Sequence, residues 1–225
     1  MRVFFVAKYL TSIDEEWRDE DYSAHHLVKA LKQADFRGYG SVPTPRGNVR
    51  LSMQNAARAP RIWASKIGPI LESNVPDGPL YLIPVPNSDS VVGSRSPPRT
   101  HRMAEALCEE LGQRCKVADV LRFDGPMPSS HQQGGTRSAR RLKENLRLTG
   151  SGAPNATWIL VDDVMTSGGH LQACAGCLRD AGGTVEFAAV AAVSTQTRPE
   201  RAWGNWYRDI GDIDFDRGPA HGIRW

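Results

Sequence analysis

The segment Trp158-Ile-Leu-Val-Asp-Asp-Val-Met-Thr-Ser-Gly-Gly-His170 holds the residues best suited to chemistry. An apolar run ends in two adjacent carboxylates, Asp162 and Asp163. Val164, Met165, Thr166, Ser167, Gly168, Gly169 and His170 follow and lead into a helical pattern. In an open α/β sheet, ligands bind beyond the carboxyl ends of the strands, where this pattern predicts the two acids. Glycines let backbone N–H groups approach an anion closely, hydroxyls add donors, and a helix start favours negative charge. The combination predicts a phosphate cradle with carboxylates beside it. The plain alternative is that the acids end a strand and the glycines make a turn. Another reading takes Ile159 to Asp163 as the metal-supporting strand of a nucleotide hydrolase. It requires an upstream Gly-x-x-x-x-Gly-Lys-Ser/Thr, which the sequence does not contain.

The surrounding pattern alternates between strand-like and helix-like segments, which predicts an α/β protein with an open, mostly parallel sheet flanked by helices. Helical periodicity covers Tyr22 to Ala34, with His26 on or near the apolar stripe and expected to pack. A Pro/Gly-rich turn region spans Gly38 to Gly47, and a second helical pattern runs from Ser52 to Glu72, interrupted at Pro60 and at Gly68-Pro69. Leu80 to Pro86 reads as a buried strand entering a rigid loop, Asn87 to Pro98. A helix follows over Arg99 to Gly112 and a strand over Val117 to Phe123. Asp124 to Thr136 has the composition of a long functional loop, and Arg137 to Leu148 that of a basic helix. Thr157 to Val161 predicts a strand buried on both faces, with a helix over Gly169 to Ala181 and a strand over Thr184 to Val193 completing a βαβ unit. The expected organisation is a single domain over 1–225, with an N-terminal hood in 1–78, a core in 79–195 and an aromatic tail in 196–225. The tail's tryptophans are expected to pack on the core rather than to stack on a ligand.

Composition narrows the classes. The chain has 225 residues, 40% hydrophobic and 24% charged, enough to bury a core without staples. A formal charge of +3 gives nucleic-acid binding no support by itself, although a local basic surface would. No apolar stretch approaches the ~20 residues that span a bilayer, and the opening Met1 to Lys8 is too short for a signal-peptide core, so a cytoplasmic protein without membrane contact is expected. Cys174 and Cys177 form a Cys-x-x-Cys on a small-residue helical pattern, and buried thiols are the expectation there.

At Trp158 to His170 the sequence resembles the type I phosphoribosyltransferase family, whose signature is an apolar run, two acids and a Thr/Ser-Gly-Gly-Thr loop. From about Tyr22 to Val193 it is similar to the ComF-like branch. The further supports are Ala30-Leu-Lys32 with Phe36-Arg-Gly38, Pro84-Val-Pro86, the Arg99 helix, and Gln133-Gly-Gly-Thr-Arg-Ser-Ala-Arg-Arg-Leu-Lys-Glu-Asn145. The resemblance implies a type I phosphoribosyltransferase-like sheet with a small variable hood. It also implies binding of 5-phosphoribosyl 1-pyrophosphate and Mg²⁺, and transfer of phosphoribose to a small-molecule acceptor, a nucleobase or related nitrogen nucleophile, with release of pyrophosphate. Asp162 and Asp163 would hold the ribose hydroxyls directly or through the metal's water shell. Val164 to His170 would hold the 5-phosphate, and Val85, Pro86 and Asn87 would face the pyrophosphate. Arg137 and Arg141, with Arg140 and Lys143, would close over it, unless they form a solvated basic face.

Three departures qualify the resemblance. The N-terminal cysteine pairs that hold zinc in many ComF-like proteins are missing, so no structural zinc is expected. His170 stands where the family's loop ends in threonine. Asn87 to Pro98 replaces a basic, Gly-Phe-Asn-rich stretch. Two other functions stay open: a non-catalytic regulator that binds phosphoribosyl pyrophosphate or a nucleotide, and a ComF-like DNA-uptake accessory protein. A homodimer is compatible with either.

Overall fold

The computed structural model describes residues 1–127, 139–150, 156–213 and 215. In chain order its elements are β1 (Arg2–Leu10), α1 (Asp19–Leu31), β2 (Tyr39–Thr44), β3 (Gly47–Ser52), α2 (Ala59–Glu72), β4 (Leu80–Pro84), α3 (His101–Leu111), β5 (Cys115–Val117), β6 (Leu121–Phe123), α4 (Ala139–Glu144), β7 (Leu146–Leu148), β8 (Thr157–Met165), α5 (Gly169–Asp180), β9 (Val185–Thr195) and β10 (Trp203–Asp209). A six-stranded sheet in the order β10-β1-β9-β8-β4-β5 organises them. All its neighbours run parallel except β10, which pairs antiparallel with β1 at the edge. This is the α/β architecture that the alternating sequence pattern predicts.

The sheet is buried on both faces because its central strands are apolar at successive positions. On β9, Ala188, Ala189, Ala191 and Ala192 are fully buried, and their small side chains let helices approach closely. One core lies between the sheet and α1, α2 and α3, centred on Trp63, Ile67, Leu82 and Ile159. Trp63 is fully buried, and its indole N–H donates to the Val190 carbonyl at 3.3 Å. The other core lies beneath α4 and α5, where Leu171, Cys174 and Leu178 meet Leu160 and Val190.

Several elements differ from the sequence expectation. The turn region at Gly38 to Gly47 is mostly a hairpin, because β2 and β3 pair in register from Tyr39–Ser52 to Thr44–Gly47. Pro69 does not interrupt α2: it falls in the last turn, and Pro60 sits at the first turn where its missing N–H costs nothing. The strand expected over Val117 to Phe123 is two strands in different sheets, β5 beside β4 and β6 beside β7. The basic helix ends at Glu144, and Leu146 to Leu148 turn back as β7. The N-terminal segment is not confined to a hood, since β1 lies inside the main sheet, and the tail contributes β10. Trp206 of β10 packs on Phe5 with ring centroids 5.6 Å apart, the packing role expected for the tail. Most of the loop expected over Asp124 to Thr136 lies outside the described residues, as does Arg137. Among the described residues no helix is long and apolar enough to cross a membrane.

Candidate functional site

From β4 the chain passes through α3 to β5 on one side, whereas from β8 it passes through α5 to β9 on the other. The helices lie on opposite faces, so the β4–β8 boundary is a topological switch point, the place where open α/β sheets bind ligands in a crevice beyond the carboxyl ends of the strands. Val85, Pro86 and Asn87 leave β4 at this crevice, and the Val85 N–H donates to the Val161 carbonyl at 2.9 Å. Asp162 and Asp163 stand beside them.

The strand carrying the acids is longer than the sequence pattern suggests, because β8 keeps pairing with β9 as far as Met165 and Val193. Val164 and Met165 therefore belong to the strand and not to the expected phosphate loop. Met165 is 2% exposed in the core, and Val164 packs on the small apolar cluster that includes Ala7 and Ala192. The loop proper begins with Thr166 and Ser167, which are exposed. Gly168 has φ +82°, the left-handed region that glycine adopts at little cost, and its carbonyl accepts the Gln172 N–H at 2.9 Å as α5 begins. The Gly169 N–H points at Ser167 Oγ, 3.4 Å away. His170 stacks on the buried Phe123 ring, with centroids 5.9 Å apart and planes 24° from parallel. Its ring thus helps pack α5 against β6.

The two carboxylates have different surroundings, because alternate residues of a strand face opposite sides of the sheet. Asp163 faces α1 and α3 and is 5% exposed. Arg99 donates to its Oδ2 from Nη2 at 2.5 Å and from Nε at 3.1 Å, and Lys32 Nζ lies 3.9 Å from Oδ1. Asp162 lies on the α5 side, partly buried, and its Oδ1 accepts the Asp163 N–H at 2.8 Å. Burial, and then the Asp163 charge, pushes the Asp162 carboxyl up to about 8. Cys174 is fully buried on α5, and burial followed by the Asp162 charge pushes its thiol well up. It fills the core, as the small-residue pattern predicts.

Sequence reasoning did not identify Arg99 and Lys32 as site residues. The chain positions Arg99 through the loop after β4. Asn87 Oδ1 accepts the Arg99 backbone N–H at 2.9 Å and the Ser90 hydroxyl at 2.9 Å, and Thr100 Oγ1 donates to the Val85 carbonyl at 2.7 Å. Lys32 caps α1 with its ammonium 5.9 Å from the Tyr9 ring centroid, and burial, then Asp163, raises the Tyr9 phenol. Nothing local in sequence couples Arg99 to an acid 64 positions away.

The basic candidates of α4 are placed less directly. Arg141 is exposed, and its carbonyl accepts from Asn145 Nδ2 at 2.8 Å. Lys143 pairs with Asp180 of α5 at 2.9 Å, so its charge is already engaged. Arg147 likewise pairs with Asp124.

The donor set can be tested against a hard divalent cation, which prefers carboxylate oxygens. Asp162 fits: it is a desolvated carboxylate without a cationic side chain in hydrogen-bond contact among the described residues, and a cation would offset its burial. Asp163 fits less well, because Arg99 and Lys32 already balance its charge.

Compared with models of known protein families and with the curated protein sequences, the chain matches none.

Proposed function

We propose that this protein binds 5-phosphoribosyl 1-pyrophosphate in the crevice between β4 and β8 and transfers its phosphoribosyl group to a small nitrogen nucleophile, releasing pyrophosphate. The observation that carries the proposal is a buried strand delivering two carboxylates to a switch point, followed at once by an exposed hydroxyl-and-glycine turn at the start of α5. The turn suits the 5-phosphate, Asp162 and Asp163 suit the ribose diol, and Val85 to Asn87 face the leaving group. The fold supports a type I phosphoribosyltransferase-like arrangement, which is also the family the signature resembles.

In such a reaction the bond from ribose C1 to pyrophosphate breaks as the nitrogen attacks, through an oxocarbenium-like state. Asp162, when ionised, places negative charge beside the sugar, and backbone donors of the Thr166 to Gly169 turn hold the phosphate end fixed, so that binding orients C1. Mg²⁺ would supply positive charge to stabilise the departing polyanion, and the Asp162 carboxylate is the group that would hold it. Arg141 and Arg137 are candidates to cover the leaving group.

Isothermal calorimetry with phosphoribosyl pyrophosphate and Mg²⁺ tests the binding, and pyrophosphate release over a panel of nucleobases tests the transfer. Asp162→Asn combined with Asp163→Asn is expected to abolish binding while the fold survives. Unchanged affinity removes the proposal. A second reading, a sensor that binds without turnover, is favoured by the engagement of Asp163 by Arg99 and Lys32. Binding without pyrophosphate release for any acceptor would support it.

A further inference from the structure

The end of α1, the helical turn Met53–Arg58 and the start of α3 enclose a hollow of about 230 Å³. Small side chains create it: Ala30, Ala34, Ala56 and Ala57 line it where longer residues would close the gap. Leu31 and Met103, both buried in the core, form part of its apolar wall, and Met53, 43% exposed, forms another part. An apolar cavity of about 150 Å³ is enough to hold benzene, so this hollow has room for a single ring or a short branched chain with a polar head.

The charge around the hollow is of one sign. Arg99 and Arg102 line it and no acid does among the described residues, and the sequence carries no Asp or Glu between Asp35 and Glu72. Arg102 is exposed and makes no side-chain hydrogen bond or ion pair among the described residues. Arg99 gives Asp163 its Nε and Nη2, and its Nη1 donates to no group among the described residues. Gln33 also lines the hollow. It follows α1 at φ +54°, in the left-handed region where glycine is usual, so the chain keeps a long amide side chain there against backbone preference. Two guanidinium groups and an amide beside apolar walls select an anionic head on an apolar body, and the planar forks of arginine match a carboxylate.

We propose that this hollow binds a small apolar carboxylate, a single ring or short branched chain with one anionic head, held between Arg99 and Arg102 and acting as a regulator of the crevice. The binding claim stands on the hollow and its cations, whereas the regulatory role rests on the function proposed above. Arg99 joins the two places, because one edge of its guanidinium holds Asp163 and the other faces the ligand. A carboxylate on Nη1 fixes Arg99 where it engages Asp163, which keeps that acid from a ribose diol. The ligand therefore opposes phosphoribosyl pyrophosphate, and by linkage phosphoribosyl pyrophosphate opposes the ligand by the same factor.

The test is calorimetric titration of the full chain, first without phosphoribosyl pyrophosphate, with benzoate, with benzamidinium as the same ring carrying a cation, and with acetate as the same head without the ring. Benzoate should bind at least about tenfold more tightly than either of the others. Arg102→Met keeps the aliphatic stem of an exposed residue, leaves Tm unchanged and should weaken benzoate by about tenfold. Gln33→Gly should weaken benzoate by about threefold while raising Tm, since glycine relieves the left-handed φ; a purely structural Gln33 would move Tm alone. Saturating benzoate should then raise the Kd of phosphoribosyl pyrophosphate by at least about threefold in the wild-type protein and not in Arg102→Met. No saturable benzoate binding, benzamidinium or acetate binding as tightly as benzoate, or wild-type benzoate affinity in Arg102→Met overturns the inference. Benzoate binding that leaves phosphoribosyl pyrophosphate affinity unchanged overturns the regulatory role and sustains the site. Phosphoribosyl pyrophosphate binding without benzoate binding overturns the inference and spares the proposed function. Benzoate binding without phosphoribosyl pyrophosphate binding sustains the site and removes that function.

Discussion

Removing Arg99 perturbs the site at its most buried charge. Asp163 is 5% exposed, and both of its close hydrogen bonds from a cationic side chain come from Arg99, at 2.5 and 3.1 Å. Arg99→Met keeps the aliphatic stem but leaves the carboxylate in the interior with only the Lys32 ammonium, 3.9 Å away. Breaking a buried pair from one side costs about 3–5 kcal/mol, and the remaining lysine places this variant near the lower end, about 3 kcal/mol. The reverse change, Asp163→Asn, costs less, about 1–2 kcal/mol, because the Arg99 side chain is 32% exposed and its guanidinium can turn to water. In the double variant neither charge is stranded, so the coupling should be at least about 2 kcal/mol. Urea unfolding of the four proteins measures it directly. In thermal unfolding Arg99→Met should lose roughly 6–12 °C at this chain length. Additivity of the two single changes within about 0.5 kcal/mol would refute the argument that burial of Asp163 makes Arg99 structurally necessary.

Three further outcomes follow from the same geometry. The folded Asp162 carboxyl titrates at about 8 and the unfolded one at its ordinary low value, so the unfolded state alone is ionised between roughly pH 4 and 8. Stability without ligand is full below that window and falls as pH rises through it. Asp162→Asn should reduce the difference in Tm between pH 5 and pH 9, and an equal difference in both proteins contradicts the assignment. Gly168→Ala places a side chain at φ +82°, with its Cβ 3.2 Å from Ile210 Cδ1, and should cost about 1–2 kcal/mol by urea unfolding while weakening phosphate-end binding. Asn87→Ala removes the acceptor shared by the Arg99 N–H and the Ser90 hydroxyl. It should destabilise by about 1–2 kcal/mol and weaken phosphoribosyl pyrophosphate in calorimetry, because Arg99 is held less firmly.

The readable part of this protein was its local order. The apolar run Thr157 to Val161 announced a doubly buried strand, the glycines at 168 and 169 announced the start of α5, and the alternation of periods announced a layered α/β fold. His26 was expected to pack, and it is 7% exposed against Phe36. Each of these is set by residues within a turn or two of chain, where side-chain period and backbone preference act directly. Local order also misled where two structures share one composition. Gly38 to Gly47 carries turn residues yet mostly forms a hairpin, and Val117 to Phe123 has one strand-like pattern divided between two sheets.

Tertiary structure alone decided how the two acids differ. Asp162 and Asp163 are adjacent and identical in type, and the pleat of β8 sends them to opposite faces. One face brings Arg99, just ahead of α3, and Lys32, at the end of α1, to balance Asp163, and the other leaves Asp162 desolvated against α5 with its carboxyl pushed up to about 8. The pairing of β1 inside the main sheet likewise places the segment after it, with Trp17, on the same edge as Asp162 and Asp163, although the two are far apart in sequence. Charge balance and burial depend on which distant segments a sheet brings together. That partnership becomes fixed only once the strand order does.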